Sequence, residues 1–477
     1  MKKAKLFIEN FLIYGLGGII SKIIPLIMVP FITRLMPNSI YFGLSDLSNT
    51  IISFASSLAI MGMYDAMYRL FFDKEEEGYQ KKVCSTAIGF TLLSSVVVCI
   101  LLFLTRDFIA EWIFKDRQYV YLVYLCAIAT LVGATNSIVS APTRMQNKRG
   151  IFLITNTVSP ILSYAIAVPL LLQGYYVLAL PLAAIISGVT MEVTFAVLNK
   201  SWFSLKSMDK KLLKQLLAIG IPAMPTFLIY WVFNSSDKLM IANILGVSAE
   251  GIYSVGSKLG HASQLIYTAF AGGWQYFAFS TMKEENQVES NSKIFEYLGL
   301  ISFATTAFIC AWSYPIYKLL FVGEYVDGYI VAPYLFLAPL LQMLFQVAGN
   351  QFLVIKKSWP IAITLSGGAV INVVLNLVLI PVLGIEGAAI ATLVGYAISV
   401  IVCVIVLIKM KLMVVSGKFL LASMAMVGFF VLWRQLCKDD VIIGSLLAIG
   451  ITVFMMIVYR NDIKQLLIAI KSKKQRV

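Results

Sequence analysis

Long apolar segments separated by short polar breaks make up the chain. Runs of roughly twenty apolar residues recur from end to end, and a helix of that length crosses a hydrocarbon core of roughly 30 Å. A transmembrane β-barrel would show shorter segments of alternating hydrophobicity. The pattern predicts an all-α polytopic membrane protein with about fourteen spans, at residues 7–35, 40–68, 83–104, 118–140, 151–172, 176–198, 213–233, 249–279, 294–321, 329–355, 360–381, 386–408, 418–436 and 441–459.

Composition supports this class and argues against several others. Of the 477 residues, 60% are hydrophobic and 13% charged, which is too apolar for a soluble domain. The N-terminal stretch MKKAKLFIENFLIYGLGGII has no small-x-small cleavage pattern after it, so we interpret it as a retained first helix. The six cysteines form no C-x-x-C pair, and no P-loop, H-E-x-x-H or G-x-S-x-G motif occurs. We therefore expect no metal site, no cofactor and no catalytic residues: the chain is predicted not to be an enzyme.

The net charge of +14 is explained by membrane topology rather than by a nucleic-acid partner. Most of the 38 Lys and Arg residues lie near the N-terminus, in alternate breaks between spans, and in the tail from Arg460. Positive residues accumulate on the cytoplasmic side of membrane proteins. We expect both termini to be cytoplasmic and no nucleic acid to bind.

The sequence also contains a weak internal repeat. Three pairs of segments match at nearly one offset: Ser39–Ser45 with Val247–Tyr253, Lys148–Arg149 with Lys356–Lys357, and Gly174 with Gly384. Halves of six spans insert in the same orientation, which is the parallel-repeat plan of transporters that hold substrate between two lobes. The predicted domains are an N-terminal lobe (1–199), a C-terminal lobe (200–412), and two extra helices with a basic cytoplasmic tail (413–477).

Three lysines lie inside predicted spans; Lys318, in the ninth span, is interpreted as an interface anchor, and the other two are candidates for a functional role. Lys22 is near the centre of the first, and Lys258 is in the eighth, three residues before His261, the one histidine. Glycines 251, 256 and 260 flank them and permit close helix approach or local bending. A lysine at a helix centre costs about 2.5–3.5 kcal/mol, so it faces protein or a water-filled cavity. Alternatively, Lys258 reaches the outer interface or pairs with an acid. A cationic cavity in an apolar frame suits an anionic, lipid-linked substrate.

Three residues are candidates for coupling transport to H⁺ or Na⁺. Glu192 lies inside the sixth span, where it is either a paired or interfacial acid or a ligand of the coupling ion. Asp65 is four residues before Arg69, a spacing most simply explained by a surface ion pair. The ordinary pKa of His261 permits proton coupling, although a packing role is the alternative.

Four segments resemble a known family. They are the opening Asn10–Met36, Asn234–Ile241 (NSSDKLMI), Gly251–Leu259 (GIYSVGSKL) and Val322–Tyr329 (VGEYVDGY). Together they resemble Wzx-type polysaccharide flippases, in the polysaccharide-transporter branch of the multidrug/oligosaccharidyl-lipid/polysaccharide (MOP) exporter superfamily. The resemblance spans nearly the whole chain.

The resemblance implies a fold and a substrate. Such flippases have two six-helix lobes around a V-shaped cavity in the bacterial plasma (inner) membrane. They move undecaprenyl-diphosphate-linked oligosaccharides to the outer leaflet without ATP. Lys22 and Lys258 match by helix and motif, and Arg34 matches the family's first-helix arginine, so these three are expected to bind the diphosphate. Many members are assigned twelve helices; fourteen is the number in the related lipid II flippases.

The remaining expectations follow from that cavity. Asn234, Gln264, Trp274 and Gln275 are expected to line it and contact the glycan, while membrane lipids hold the prenyl tail. Polysaccharide polymerase and chain-length proteins are candidate partners. The alternatives are a lipid II flippase of peptidoglycan synthesis and a multidrug antiporter of the same fold, which would need buried acids to bind a cation. A membrane-embedded glycosyltransferase would need catalytic carboxylates or a large polar loop.

Overall fold

The computed structural model describes residues 2–280, 284–357, 359–437 and 440–465. Side chains are described from residue 19 onward, except those at 205, 272, 273, 275–277, 279, 280 and 437. In these ranges the secondary structure is helical: α1 Lys2–Leu35, α2 Ser39–Ile60, α3 Met63–Phe71, α4 Glu77–Leu104, α5 Arg106–Ile113, α6 Val120–Met145, α7 Arg149–Leu172, α8 Ala179–Leu198, α9 Lys210–Ile244, α10 Val247–Gly260, α11 Gln264–Ser280, α12 Gln287–Leu320, α13 Ala332–Val354, α14 Trp359–Leu383, α15 Ile385–Lys409, α16 Gly417–Leu432 and α17 Val441–Val458.

The predicted all-α membrane architecture is confirmed. Within the described ranges, eleven helices are long and apolar enough to cross a membrane, or twelve if the bent pair α2 and α3 forms one span. Each of the predicted spans overlaps a helix or a broken helix. The chain is a multi-pass membrane protein.

Two predicted spans are broken helices. The second is bent by 43° between α2 and α3, where Met61 and Gly62 have φ angles of 48° and 69°. Gly62 packs against the backbone of Gly220 on α9, where a Cβ would not fit. The eighth span changes to a 3₁₀ turn at His261–Ser263, between α10 and α11. Both breaks lie beside glycines because a backbone without Cβ can adopt these angles or approach a neighbour closely.

The two halves of the sequence end corresponding helices in the same way. Asn147 follows α6 with a φ of 55°, and Lys356 follows α13 with a φ of 61°. Gly174 after α7 and Gly384 after α14 also have positive φ angles, of 88° and 64°. Left-handed residues commonly terminate helices. The repeat inferred from short sequence matches therefore has a counterpart in local backbone geometry.

The chain divides into two compact units. Unit 1 comprises residues 1–255, 322–325 and 372–388, and unit 2 comprises 256–321, 326–371 and 389–477. In unit 1, α6 packs against α2, α4 and α8, α1 packs against α7, and α2 and α3 pack against α9. In unit 2, α12 packs against α13 and α17. The predicted lobe boundaries at 199 and 412 stay a prediction.

A buried carboxylate attaches the last two helices to the rest of unit 2. Glu296 on α12 accepts hydrogen bonds from the backbone N–H of Ser416 (2.6 Å), the Ser416 hydroxyl (2.8 Å) and the Tyr459 hydroxyl (2.8 Å). Gly299 lies against Phe419, and Gly444 lies against Ala311. One acid thus receives three donors from the ends of α16 and α17; we call this set, Glu296, Ser416 and Tyr459, the Glu296 node.

Candidate functional site

The predicted cations of unit 1 lie on α1. Lys22 is exposed and is three residues before Pro25, and Arg34 is exposed in the last turn. A proline inside a helix removes one backbone hydrogen bond and favours a bend. The helix that carries both side chains packs against α7. Binding of a diphosphate by Lys22 and Arg34 stays a prediction.

The predicted cation of unit 2 lies where α10 packs tightly. Lys258 is half-buried between two glycines. A Cβ on Gly256 would be 2.6 Å from the carbonyl oxygen of Gly328, and one on Gly260 would be 3.0 Å from that of Ala332. The Tyr317 hydroxyl donates to the Gly256 carbonyl over 2.9 Å. The expected close approach at these glycines is confirmed, and it fixes the backbone that carries Lys258.

The predicted glycan contacts are divided between the units. In unit 1, Asn234 is exposed and its amide donates to the Tyr230 carbonyl over 2.6 Å. In unit 2, Gln264 is half-buried at the start of α11, and Trp274 is 4% exposed and stacks on Phe270 with ring centroids 5.4 Å apart. The side chain of Gln275 lies outside the described residues. Their assignment to a common cavity stays a prediction.

The three candidates for ion coupling have different surroundings. Asp65 is exposed in the first turn of α3, and within the described ranges no ion pair joins it to Arg69. Glu192 is half-buried on α8, close to the Thr135 side chain on α6. His261 is half-buried in the 3₁₀ turn that follows α10. Glu192 is thus a membrane-embedded acid with a polar neighbour, and its coupling role stays a prediction.

Unit 1 also contains a buried ion pair that sequence reasoning missed. The Lys238 ammonium on α9 is 2.6 Å from a carboxylate oxygen of Asp46 on α2, with side chains 14% and 3% exposed. The predicted spans 213–233 and 249–279 leave Lys238 in the break between them, whereas the structure includes it in α9. Asp46 and Lys238 are far apart in sequence, so no local spacing identifies them as partners. The signal available was the Asp237-Lys238 doublet within the NSSDKLMI segment.

More acids surround this ion pair. The Asp237 carboxylate accepts from the Tyr253 hydroxyl and, over 2.9 Å, from the backbone N–H of Lys238. Glu250 on α10 is fully buried. The carboxylates that act on the Lys238 ammonium are those of Asp46, Glu250 and Asp237. We call Asp46, Asp237, Lys238, Glu250 and Tyr253 the Lys238 cluster; it contains three acids and one base.

The cluster lies beside a close crossing of α2 and α10. Gly43 packs against the carbonyl oxygen of Val247, and Gly251 packs against that of Ser39, each closely enough to exclude a Cβ. The two glycines occupy matching positions of the repeat, as do the two carbonyls. One carboxylate oxygen of Glu250 would be 3.1 Å from a Cβ on Gly43. The crossing therefore presses Glu250 against the backbone of α2.

The start of α2 also contacts hydroxyl groups and a short segment that follows α12. The Ser39 and Ser248 hydroxyls are 2.6 Å apart. Glu324 accepts from the backbone N–H of Ser39 over 2.5 Å, and the Tyr325 hydroxyl donates to the Asn38 carbonyl over 3.0 Å. These contacts add a polar rim around the glycine crossing and attach the 322–325 segment to α2.

Comparisons with known proteins identify both a family and a fold. A family model described as "Polysaccharide biosynthesis protein" matches residues 31–329. No curated protein matches the sequence. Among solved structures, the lipid II flippase MurJ in an inward closed conformation is 16% identical, with a TM-score of 0.68, covering 95% of this chain and 100% of that one.

Two further similar structures are described as transporters of the MOP superfamily. An inward-facing multidrug resistance MATE transporter of the MOP superfamily is 14% identical, with a TM-score of 0.61, and covers 83% of this chain and 98% of that one. A MOP superfamily transporter from Pyrococcus furiosus, whose binding pocket is described as having reverse polarity, is 16% identical, with a TM-score of 0.60, covering 85% and 95%. At these identities the similarity establishes the fold: the expected MOP architecture is confirmed.

Proposed function

Because the chain belongs to the polysaccharide biosynthesis protein family, we propose that it is a flippase for undecaprenyl-diphosphate-linked oligosaccharide. It would move this lipid from the cytoplasmic to the outer leaflet of the bacterial plasma (inner) membrane, where the glycan is used for surface polysaccharide. Both termini would be cytoplasmic, as the distribution of lysine and arginine indicates. The activity is transport, with no chemical step on the substrate.

The observation that carries the proposal is the presence of lysines inside membrane helices of a chain from this family. Lys22 lies within α1 and Lys258 within α10. A membrane-embedded lysine is expensive and marks a substrate pathway by default. Its ammonium attracts a diphosphate and repels a cationic drug. A lipid-linked diphosphate is therefore the substrate class that the charge of these positions favours.

The positively charged side chains would act in the first step of the transport cycle, when the substrate binds. The diphosphate would enter from the cytoplasmic leaflet and bind Lys22, Lys258 and Arg34, while the glycan contacts Asn234, Gln264, Trp274 and Gln275 and the prenyl tail stays in lipid. The lobes would then rock and expose the head group outward. An ion drives such a cycle only if its affinity differs between the two states. Polymerase and chain-length proteins would use the glycan after it is released outside.

A lipid II flippase is the second candidate. Two observations favour it: the lipid II flippase MurJ aligns with 95% of this chain, and α16 and α17 extend beyond two six-helix halves. Lipid II carries the same diphosphate, so the lysines fit both substrates and the head group must separate them. The polysaccharide family match favours the oligosaccharide.

Transport in proteoliposomes tests the proposal. Purified protein would be assayed with undecaprenyl-diphosphate oligosaccharide, with lipid II and, for efflux, with a cationic dye. The Lys22→Ala/Lys258→Ala variant is compared with Lys318→Ala, which removes an exposed lysine from another membrane helix, α12. We expect oligosaccharide transport that falls at least tenfold in the double variant and persists in the control. Lipid II transport alone would establish the second candidate, and dye efflux alone would overturn both.

A further inference from the structure

Polar residues occupy one exposed face of α2 deep inside its membrane span. Asn49 and Ser53 are both exposed and lie four residues apart, so they share a face of the helix. Ser53 is about 21 Å along the helix axis from Ser39, where α2 begins, and this depth is well inside a hydrocarbon core of roughly 30 Å. Acyl chains cannot form hydrogen bonds with an exposed amide. This face of α2 therefore contacts water or a polar ligand.

An aromatic pair lies beside these polar residues, where α2 packs against α9. The indole N–H of Trp231 on α9 donates to the Ser53 hydroxyl over 3.1 Å. The ring centroids of Trp231 and Phe54 are 4.7 Å apart, with an interplanar angle of 49°; Phe54 is exposed and Trp231 is half-buried. Tryptophan in membrane proteins is enriched at the membrane–water interfaces. The bond to Ser53 places Trp231 inside the hydrocarbon core, so anchoring at an interface does not explain this residue.

Trp231 is held in one orientation and is followed by an exposed amide. Its N–H also lies 3.4 Å from the carbonyl oxygen of Thr50, so the polar atom of the indole is satisfied within unit 1. What the side chain can still offer to a ligand is the face of its ring. Asn234, three residues further along α9, is exposed on the same side of that helix. We call this set the Trp231 platform; it comprises Asn49, Ser53, Phe54, Trp231 and Asn234.

The chemical groups of the Trp231 platform suit a sugar ring. One face of a pyranose ring carries C–H bonds, which pack against the negative face of an aromatic ring. The hydroxyls of a sugar both donate and accept hydrogen bonds, as amide and hydroxyl side chains do. The platform has no charged side chain, whereas a diphosphate is bound most strongly by charged donors. The platform therefore matches the glycan part of the proposed substrate and not its diphosphate.

We propose that the Trp231 platform binds a sugar ring of the lipid-linked oligosaccharide while the head group crosses the membrane. One face of the sugar stacks on Trp231, and its hydroxyls bond to Asn49 and Asn234. Ser53 is a positioning residue, since it fixes the orientation of the indole. This assignment rests on the proposed function, because it takes a lipid-linked saccharide as the substrate. It separates recognition of the glycan, at this platform, from recognition of the diphosphate.

Binding of two lipids that share the diphosphate tests the proposal. The Kd of the purified protein in detergent is measured by microscale thermophoresis for undecaprenyl-diphosphate oligosaccharide and for undecaprenyl diphosphate, which lacks the sugars. Trp231→Ala should weaken binding of the oligosaccharide lipid by about tenfold, as expected for the loss of one ring-stacking contact. The same variant should bind undecaprenyl diphosphate as the wild type does. Trp231→Phe keeps an aromatic face and should retain most of the affinity for the oligosaccharide lipid.

Further variants separate a contact with the glycan from a role in helix packing. Ser53→Ala keeps the indole but removes the hydroxyl that orients it, so it should weaken binding of the oligosaccharide lipid by less than Trp231→Ala does. Trp112→Ala removes an exposed tryptophan from α5 and should change neither affinity. If Trp231→Ala does not fold, Trp231→Leu replaces it, because leucine fills part of the same space without an aromatic ring.

Two results would overturn the inference and leave the proposed function intact. One is wild-type affinity for the oligosaccharide lipid in folded Trp231→Ala. The other is an equal loss of affinity for both lipids in that variant, which would show that Trp231 acts only through the packing of α2 against α9. A wild-type protein that bound neither lipid would instead contradict the proposed function, and the inference would fail with it.

Discussion

Two buried polar sites in this protein are built on opposite principles. The Glu296 node gives one carboxylate three donors, from Ser416 and Tyr459. The Lys238 cluster gives one ammonium three carboxylates, from Asp46, Asp237 and Glu250. The first is a satisfied arrangement that holds α16 and α17 on α12. The second brings a buried ion pair and two further buried carboxylates together beside a helix crossing.

The difference shows that buried polar groups hold helices together in two ways in this protein. A buried acid that accepts several hydrogen bonds is satisfied and stabilises one packing arrangement. A buried ion pair stabilises the packing of its two helices only while both partners are present, because removing one leaves the other charge buried. The two sites can be disrupted separately, and the expected costs differ.

The largest effect is expected from Lys238→Met. Removing the ammonium leaves Asp46 buried beside two other acids, and breaking a buried ion pair from one side typically costs about 3–5 kcal/mol. Thermal unfolding in detergent should show a strong decrease in Tm. Lys115→Met, at an exposed lysine on the same end of unit 1, is the matched control. An equal change in both variants would show that the cluster does not stabilise the packing.

The next effect is expected at the glycine crossing. In Gly43→Ala or Gly251→Ala, the new Cβ meets a backbone carbonyl that no rotamer change can move. Overpacking of this kind costs about 1–3 kcal/mol, so Tm in detergent should fall. Gly428→Ala, where a Cβ meets open space, is the control. An unchanged Tm in Gly43→Ala would refute the close crossing.

A smaller effect is expected at the Glu296 node. Tyr459→Phe removes one of three donors to a carboxylate, and a single hydrogen bond contributes about 0.5–1.5 kcal/mol. Tm should fall modestly, and by less than in Lys238→Met. A decrease as large as that of Lys238→Met would contradict the loss of a single hydrogen bond.

The smallest effect is expected at the start of α9. Asp209 caps this helix by accepting from the backbone N–H groups of Lys211 and Leu212, and these bonds lower its pKa. Its stabilisation is therefore present above the pKa of the unfolded chain and is lost as pH falls through the lower, folded value. Asp209→Ala should reduce Tm slightly at pH 7 and by less in strongly acidic buffer, as measured by thermal unfolding. A Tm difference that grew on acidification would contradict this assignment.

The sequence predicted the helical spans well because apolar length is a local signal. The helix breaks were harder: residues 40–68 form one apolar run, yet the chain bends at Met61–Gly62, where Gly62 meets Gly220 on a distant helix. The glycines at 251, 256 and 260 did indicate close packing. Even so, nothing local showed that Gly251 would face the carbonyl of Ser39.

The candidate site was harder still to predict, because its contacts join residues that are far apart in the sequence. Lys22 and Lys258 could be recognised because a lysine inside an apolar run is conspicuous. Lys238 and Asp46 lie near the ends of their spans, where charged residues are ordinary, and only the packing of α2 on α9 brings them to 2.6 Å. Glu250 opens α10 in the first turn, a position where an acid is expected for helix stability alone.

The most direct test is transport of undecaprenyl-diphosphate oligosaccharide in proteoliposomes by the wild type, by Lys22→Ala/Lys258→Ala and by the Lys318→Ala control. The account predicts that transport falls at least tenfold in the double variant and persists in the control. Full transport by the double variant at equal protein content would contradict the diphosphate-binding role of the two lysines.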